Sequence, residues 1–315
     1  MAYNHNVDRS QWKKAPPETV VEEPVPIKNA TGTVTNVYQA CIAGFWRNVT
    51  VQWFKNFMNI SFSITVDSIE SESSQTCKVE LKPWQFWGKK GYKFFEIDVG
   101  RHPWYDESPH KLEICWDFRS AKFFDSPEPY SNYYLALVSD EEIVVLLGDN
   151  KNKAFKRTKK RPALVDAVQS LKGEVVYAKK SFSTRARFEE SRGEHDIVVE
   201  SSTAGPRDPE MWISVDGIVL VHVKNLHWKF RGNETVIVNK LPIQVFWDVH
   251  AWLFSAPGTG YGLFVFKPGA AEAADESGQE VSGRRSDSGG STFYSTRGQA
   301  KAPDFCLFLY AWKTE

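Results

Sequence analysis

Asp248 and His250 stand two residues apart in the run Val245-Phe-Trp-Asp-Val-His-Ala-Trp-Leu-Phe254. On an extended strand that spacing puts both side chains on one face, where a carboxylate can orient an imidazole for general-base work. No serine or cysteine in a nucleophile-elbow context accompanies them. The corresponding stretch of the first half reads Trp116-Asp117-Phe118-Arg119, with an arginine in place of the imidazole. The pair is the one catalytic candidate, and a strand-end ion pair or turn cap accounts for the same residues.

Other reactive types are scattered. His222 and His227 could share a metal only if the strand between them bends, so no metal or other cofactor is expected. Cys41, Cys77, Cys115 and Cys306 occur singly with no Cys-x-x-Cys pair, which points to reduced, mostly buried thiols. The glycine-rich Pro257–Gly262 segment runs into a strand pattern rather than a helix, so it lacks the helix N-terminus that binds phosphate. Lys151, Lys153, Lys156, Arg157, Lys159, Lys160 and Arg161 form a basic patch, readable as a solvated helix face, a nuclear import signal or an acidic-headgroup contact. Arg284-Arg-Ser-Asp-Ser288 offers Ser288 to a basophilic kinase.

The elements that must position these groups are mostly strands. Aromatic residues make up 14% of the chain, including twelve tryptophans, and such side chains favour pleated, half-buried surfaces. Short apolar runs separated by turn residues follow from Val37 to Leu147 and again from Val175 to Trp312. Asp216-Gly217 between two of them is a two-residue hairpin signal. Ala154, Phe155, Leu164, Val165, Ala167, Val168 and Leu171 recur at helical spacing, so a helix over 151–172, split near Pro162, is expected between the two series. Residues 1–35 and 270–303 have too little apolar content to offset ordering entropy and read as disordered.

Lysine plus arginine and aspartate plus glutamate both number 39, which removes any global electrostatic case for a nucleic-acid partner. The first residues lack the apolar run of a signal peptide and the glycine needed for myristoylation, and no stretch is long and apolar enough for a transmembrane helix. A cytoplasmic or nuclear location is expected, where the sequons at Asn29, Asn48, Asn59 and Asn233 stay unmodified.

The two series resemble each other. Ile64-Thr-Val-Asp67 recurs as Ile213-Ser-Val-Asp216, Trp84 with Phe86 as Trp228 with Phe230, Trp116-Asp117 as Trp247-Asp248, and Tyr133 to Val138 as Tyr261 to Phe266. The order is kept while the offset shortens from 149 to 128 residues, as expected of a duplicated framework whose loops drift. In each series the apolar alternation slips by one residue, at Lys82-Pro83 and at Lys224-Asn225, which suggests a β-bulge or bend. Trp116 and Trp247 share a face with aliphatic neighbours and are expected in equivalent cores.

The runs Cys77 to Trp84, Ser181-Phe-Ser-Thr-Arg-Ala-Arg187, Trp228 to Asn233, Val245 to Phe254 and Phe264-Val-Phe-Lys-Pro-Gly269 resemble the plant family catalogued as domain of unknown function 868. The likeness spans roughly residues 36–270 and implies a land-plant source. It assigns no residue a role.

The expected architecture is all-β: two tandem antiparallel β-barrel or β-sandwich units, 36–150 and 174–315, related by internal duplication and joined by one basic connecting helix at 151–173. The function this favours is non-catalytic binding or scaffolding of a protein partner. The alternatives are a carrier of a small apolar ligand in a lipocalin-like barrel and an enzyme using Asp248 and His250.

Overall fold

The computed structural model describes residues 30–56, 59–67, 74–81, 89–97, 109–124, 126–178, 180–189, 192–202, 208–256, 258–269 and 305–313. The chain is mostly strand. The first half runs β1 (Ala30–Ile42), β2 (Phe45–Asn56), β3 (Ile60–Asp67), β4 (Ser74–Leu81), β5 (Lys90–Ile97), β6 (His110–Asp117), β7 (Tyr134–Ser139) and β8 (Glu142–Leu147). Helix α1 (Lys151–Thr158), the short β9 (Arg161–Pro162) and the long β10 (Val168–Ala178) lead into the second half. There β11 (Ser181–Ala186), β12 (His195–Ser202), β13 (Glu210–Val215), β14 (Ile218–Val223), β15 (Arg231–Val238) and β16 (Leu241–Asp248) precede helix α2 (His250–Phe254), β17 (Tyr261–Pro268) and β18 (Cys306–Lys313).

Alternation makes the strands. On β2, Val49, Val51 and Trp53 point inward while Thr50 and Gln52 point out, the period-2 pattern of a half-buried strand. Three connections are two-residue hairpins with positive φ at both positions: Ala43-Gly44, Asn239-Lys240 and the Asp216-Gly217 pair legible in the sequence. That geometry matches the right-handed twist of the flanking strands.

The strands form three open sheets. One has nine strands in the order β15-β16-β17-β18-β10-β1-β2-β3-β4, a second has β11 to β14, and a third β5 to β9. Among the described strands, β10–β18 and β8–β9 pair in parallel and the other pairs are antiparallel. The β1–β4 end of the large sheet buries its face against the third sheet, around Trp53, Phe62, Trp116, Phe118 and Tyr133. Their rings meet at centroid distances of 5.4 to 6.2 Å, within the range of favourable aromatic pairs. The β15–β18 end packs against β11–β14, with Ile197, Ile213, Trp247, Phe264 and Leu309 in the core. Strand β10 sits at the centre of the nine and belongs to both ends. Trp116 and Trp247 are both buried, at 7% and 9% exposure.

Several expectations need correction. The helix ends at Thr158 rather than continuing toward residue 172: Lys159 turns left-handed with φ 59°, and Arg161-Pro162 then lies along β8. Val168 and Leu171 join β10, where pairing with β1 outweighs their helical spacing. Residues 30–35, placed in a disordered arm by composition, are the start of β1 and pair with β2; residues 1–29 and the 270–303 tract lie outside the described residues. The slip at Lys224-Asn225 is no bulge within one strand. β14 stops at Val223, Asn225 is left-handed with φ 55°, and the turn that follows leaves Trp228 84% exposed. A bulge does occur earlier, where Leu220 is the extra residue between Val219 and Val221, and it turns Val219 out to solvent. The matching slip at Lys82-Pro83 lies outside the described residues. A second helix, α2, follows the second Trp-Asp.

Candidate functional cleft between the two cores

Every second residue of β1 from Val34 to Ile42 faces inward, and in apolar company two of them are Asn36 and Tyr38. Their neighbour β10 offers Lys172 and Glu174 on the same face, with Asn36 directly opposite Lys172. The register shifts between Val37 and Tyr38, leaving Ser170 as the extra residue and turning Gln169 toward Asn36. The centre of the large sheet is therefore polar where its two ends are packed with hydrocarbon.

A hydrogen-bonded network satisfies these groups. Gln169 Nε2 donates to Asn36 Oδ1 at 3.0 Å, and Asn36 Nδ2 donates to Glu128 Oε1 at 3.0 Å. Lys172 Nζ donates to Glu128 Oε2 at 3.0 Å and to the Arg185 carbonyl at 2.9 Å. Thr184 Oγ1 donates to Glu174 Oε2. Arg185 reaches Glu194 at 3.1 Å and lies 4.1 Å over the Tyr130 ring. Glu128 and Tyr130 come from the loop between β6 and β7, so residues of β1, this loop, β10, β11 and the segment before β12 complete one cluster.

Burial governs the protonation of this cluster. Burial pulls the Lys172 ammonium toward neutrality, but the charges of Glu128 and Glu174 outweigh it and hold its pKa above the ordinary lysine value. Burial pushes the Glu174 carboxyl up, against the pull of Lys172 and the Thr184 hydroxyl. The Tyr38 and Tyr133 hydroxyls are raised far above the usual phenol range, first by burial and then by Glu128, so both stay protonated.

Most of the cluster, but not Glu174 or Thr184, forms one wall of a cavity of about 1060 Å³ between the two cores. The facing wall comes from β8, α1 and the segment from Pro162 to Val168, and Phe188 and Phe305 close one side. Its lining mixes charged side chains with aromatic ones.

The residues singled out in the sequence lie elsewhere, apart from one edge of the basic patch. Asp248 contacts His250 through the backbone: Oδ1 accepts the His250 amide at 3.1 Å, and Oδ2 accepts Arg231 Nε at 2.7 Å. The imidazole of His250 packs instead on Phe230 and Phe254, at 5.0 Å from each. Asp117 makes the same turn, accepting the Arg119 amide at 3.2 Å and its guanidinium at 2.7 Å. His222 pairs with Glu210 at 2.6 Å and His227 approaches Asp208 at 3.7 Å; among the described residues no three metal-ligating side chains converge. In the basic patch, Lys160 pairs with Glu141 and Arg161 with Glu142, while Lys151 lines the cavity. The four cysteines are free. Ser288 lies outside the described residues.

Asn36, Tyr38, Glu128, Lys172 and Glu174 escaped the sequence reading. The available signal was polar residues in phase with an apolar face, as in Val34-x-Asn36-x-Tyr38-x-Ala40. A second signal was the Ser181–Arg187 run, which supplies Thr184, Arg185 and Arg187 to this region.

No helix among the described residues is long and apolar enough to cross a membrane. No curated protein and no solved structure matches the chain. A family model does, over residues 29–313, which extends the resemblance at both ends; the chain belongs to the family described as plant protein of unknown function (DUF868).

Proposed function

We propose that this chain is a non-catalytic binding protein, two divergent copies of one β unit with a ligand site in the cleft between them. The carrying observation is the partly buried Asn36–Glu128–Lys172 network at the centre of the shared sheet. Desolvating charges there costs free energy that an apolar centre would not, and convergent, satisfied polar groups beside a cavity suit recognition. Among the described residues, the cavity wall holds no nucleophile paired with a base. An apolar-ligand carrier draws less support, because aromatic rings fill the first core and side chains from both sheets fill the second, and the cleft between them is charged.

Duplication is supported by chain order and by two local matches. β1–β4 correspond to β11–β14, and β5–β8 to β15–β18. Both Trp-Asp sites close the same side-chain turn, and both tryptophans face a glycine on the neighbouring strand. Under this reading the units keep the divisions 36–150 and 174–315, with β10 shared, and the protein works in the cytoplasm or nucleus.

The test is affinity purification from plant tissue with mass spectrometry of co-purifying proteins and small molecules, run beside Ala163→Trp, which fills the cleft from its outer wall. A species retained by the parent and lost from a variant of equal thermal stability is the expected result. Identical recovery from both would overturn the cleft as the binding site.

A further inference from the structure

Aromatic rings line the cleft, and one of its cations has no carboxylate partner among the described residues. Its charges are mostly settled internally: Lys172 with Glu128, Arg185 with Glu194, and Glu189 with Arg192 at 2.6 Å. Asp149 accepts the Tyr133 amide at 3.1 Å and is held below the usual carboxylate range because such backbone hydrogen bonds outweigh its burial. Lys151 and Asp166 are exposed and of opposite sign. Arg187 remains. It is exposed, lines the cavity, and has no carboxylate partner among the described residues.

Half-buried Tyr38 lines the same cavity, and its hydroxyl feels the Arg187 charge together with those of Glu128 and Glu194. A phenol held protonated is a hydrogen-bond donor, and a guanidinium offers a planar fork that matches a carboxylate. Around these two donors the lining turns aromatic, with Tyr130, Tyr133, Phe155, Phe188 and Phe305. Such rings take a flat apolar body against their faces or edges.

Resting on the cleft reading above, we infer that the ligand is a small organic carboxylate with a planar apolar body. Its carboxylate is held by Arg187 and the Tyr38 hydroxyl, and its ring lies among the aromatic side chains. Neutral and cationic molecules of the same shape leave the Arg187 fork unanswered, so they bind more weakly.

Calorimetric titration with three probes of one shape tests this: 2-naphthoate, 2-naphthamide and 2-naphthylmethylammonium. Naphthoate is expected to bind at least roughly tenfold more tightly than either of the others, the scale of one charge-assisted hydrogen bond. Arg187→Gln should remove that preference, Arg187→Lys should restore part of it, and Tyr38→Phe should weaken naphthoate several-fold. Arg187 is exposed, so an unchanged thermal midpoint will show that its variants fold. Equal or tighter binding of the ammonium probe, no binding of naphthoate, or no effect of Arg187→Gln would each overturn the inference. If one of these occurs while Ala163→Trp still loses a co-purifying species, the cleft reading survives and the carboxylate assignment alone falls.

Discussion

Gly232 lies directly opposite Trp247 across the β15–β16 ladder, and the indole occupies the place where a Cβ on Gly232 would stand. Gly91 and Trp116 stand in the same relation on β5 and β6, where an added Cβ would meet Trp116 Cζ2 at 2.6 Å. Trp247 is held there by Nε1 donating to the Lys229 carbonyl at 3.0 Å. Neither indole can move aside without losing its place in a packed core.

Gly232→Ala and Gly91→Ala should therefore each destabilise the protein by about 1 to 3 kcal/mol, the usual cost of overpacking. Chemical denaturation measures it. Pairing Gly232→Ala with Trp247→Phe should return part of the loss, and a strictly additive double mutant would show that the two residues do not compete for space.

Trp247→Ala should cost about 3 to 5 kcal/mol, because it empties a large volume in the second core. Asp248→Ala should cost no more than about 1 kcal/mol, since it removes an exposed ion pair and one turn hydrogen bond. Comparable losses from the two would contradict the placement of Trp247 as a core residue and Asp248 as a surface turn residue.

How much of this was legible varies by residue. Asp216-Gly217 and the two tryptophans could be read because their signals are local: a turn pair with positive φ, and period-2 alternation. Trp228 could not. Its alternation with Phe230 looks like a strand, but the left-handed Asn225 ends that strand first. The cleft was hidden for another reason: Asn36 meets residues 92 and 133 positions away, and no local pattern records such a meeting.

The His195–Asp216 contact gives a pH dependence. Burial works against the Asp216 carboxylate, but hydrogen bonds from His195 Nδ1 at 2.7 Å and the Asp196 amide at 3.0 Å outweigh it and lower its pKa. A lowered folded-state pKa contributes stability above the unfolded value, about 4, and loses it as pH falls through the lower folded value. Asp216 is well solvated, so the contribution is small, below about 1 kcal/mol. Thermal midpoints measured between neutral and acid pH should show Asp216→Asn losing stability near pH 7 and matching the parent at the acid end. A difference that persisted unchanged to low pH would refute the carboxylate's role.

Cys115 should resist alkylation in the folded protein. Burial raises its thiol first, and the Glu113 carboxylate accepting at 3.2 Å raises it further, to about 12. Cys306 is pushed up to about 11 by burial. Little thiolate forms at neutral pH. Mass spectrometry after iodoacetamide treatment should find both unmodified until denaturant is added, and prompt native labelling of Cys115 would contradict this.

Import into the nucleus is the proposed use of the basic patch. Changing Lys156, Arg157, Lys159 and Lys160 to alanine should reduce the nuclear signal of a fluorescent fusion too large for passive entry. An unchanged distribution would leave these residues as a solvated face.

The central position of β10 has a consequence for biosynthesis. Its two partners in the large sheet are β1, more than a hundred residues earlier, and β18, more than a hundred residues later. A ribosome delivers β1 to β9 as a group whose core can close early, because its contacts are internal to that group. Strand β10 then leaves with one ladder available and the other missing. Until β18 emerges and aligns parallel to it, β10 presents an open edge, the surface on which stray chains add. The long wait between Ala178 and Cys306 makes this the exposed interval of synthesis.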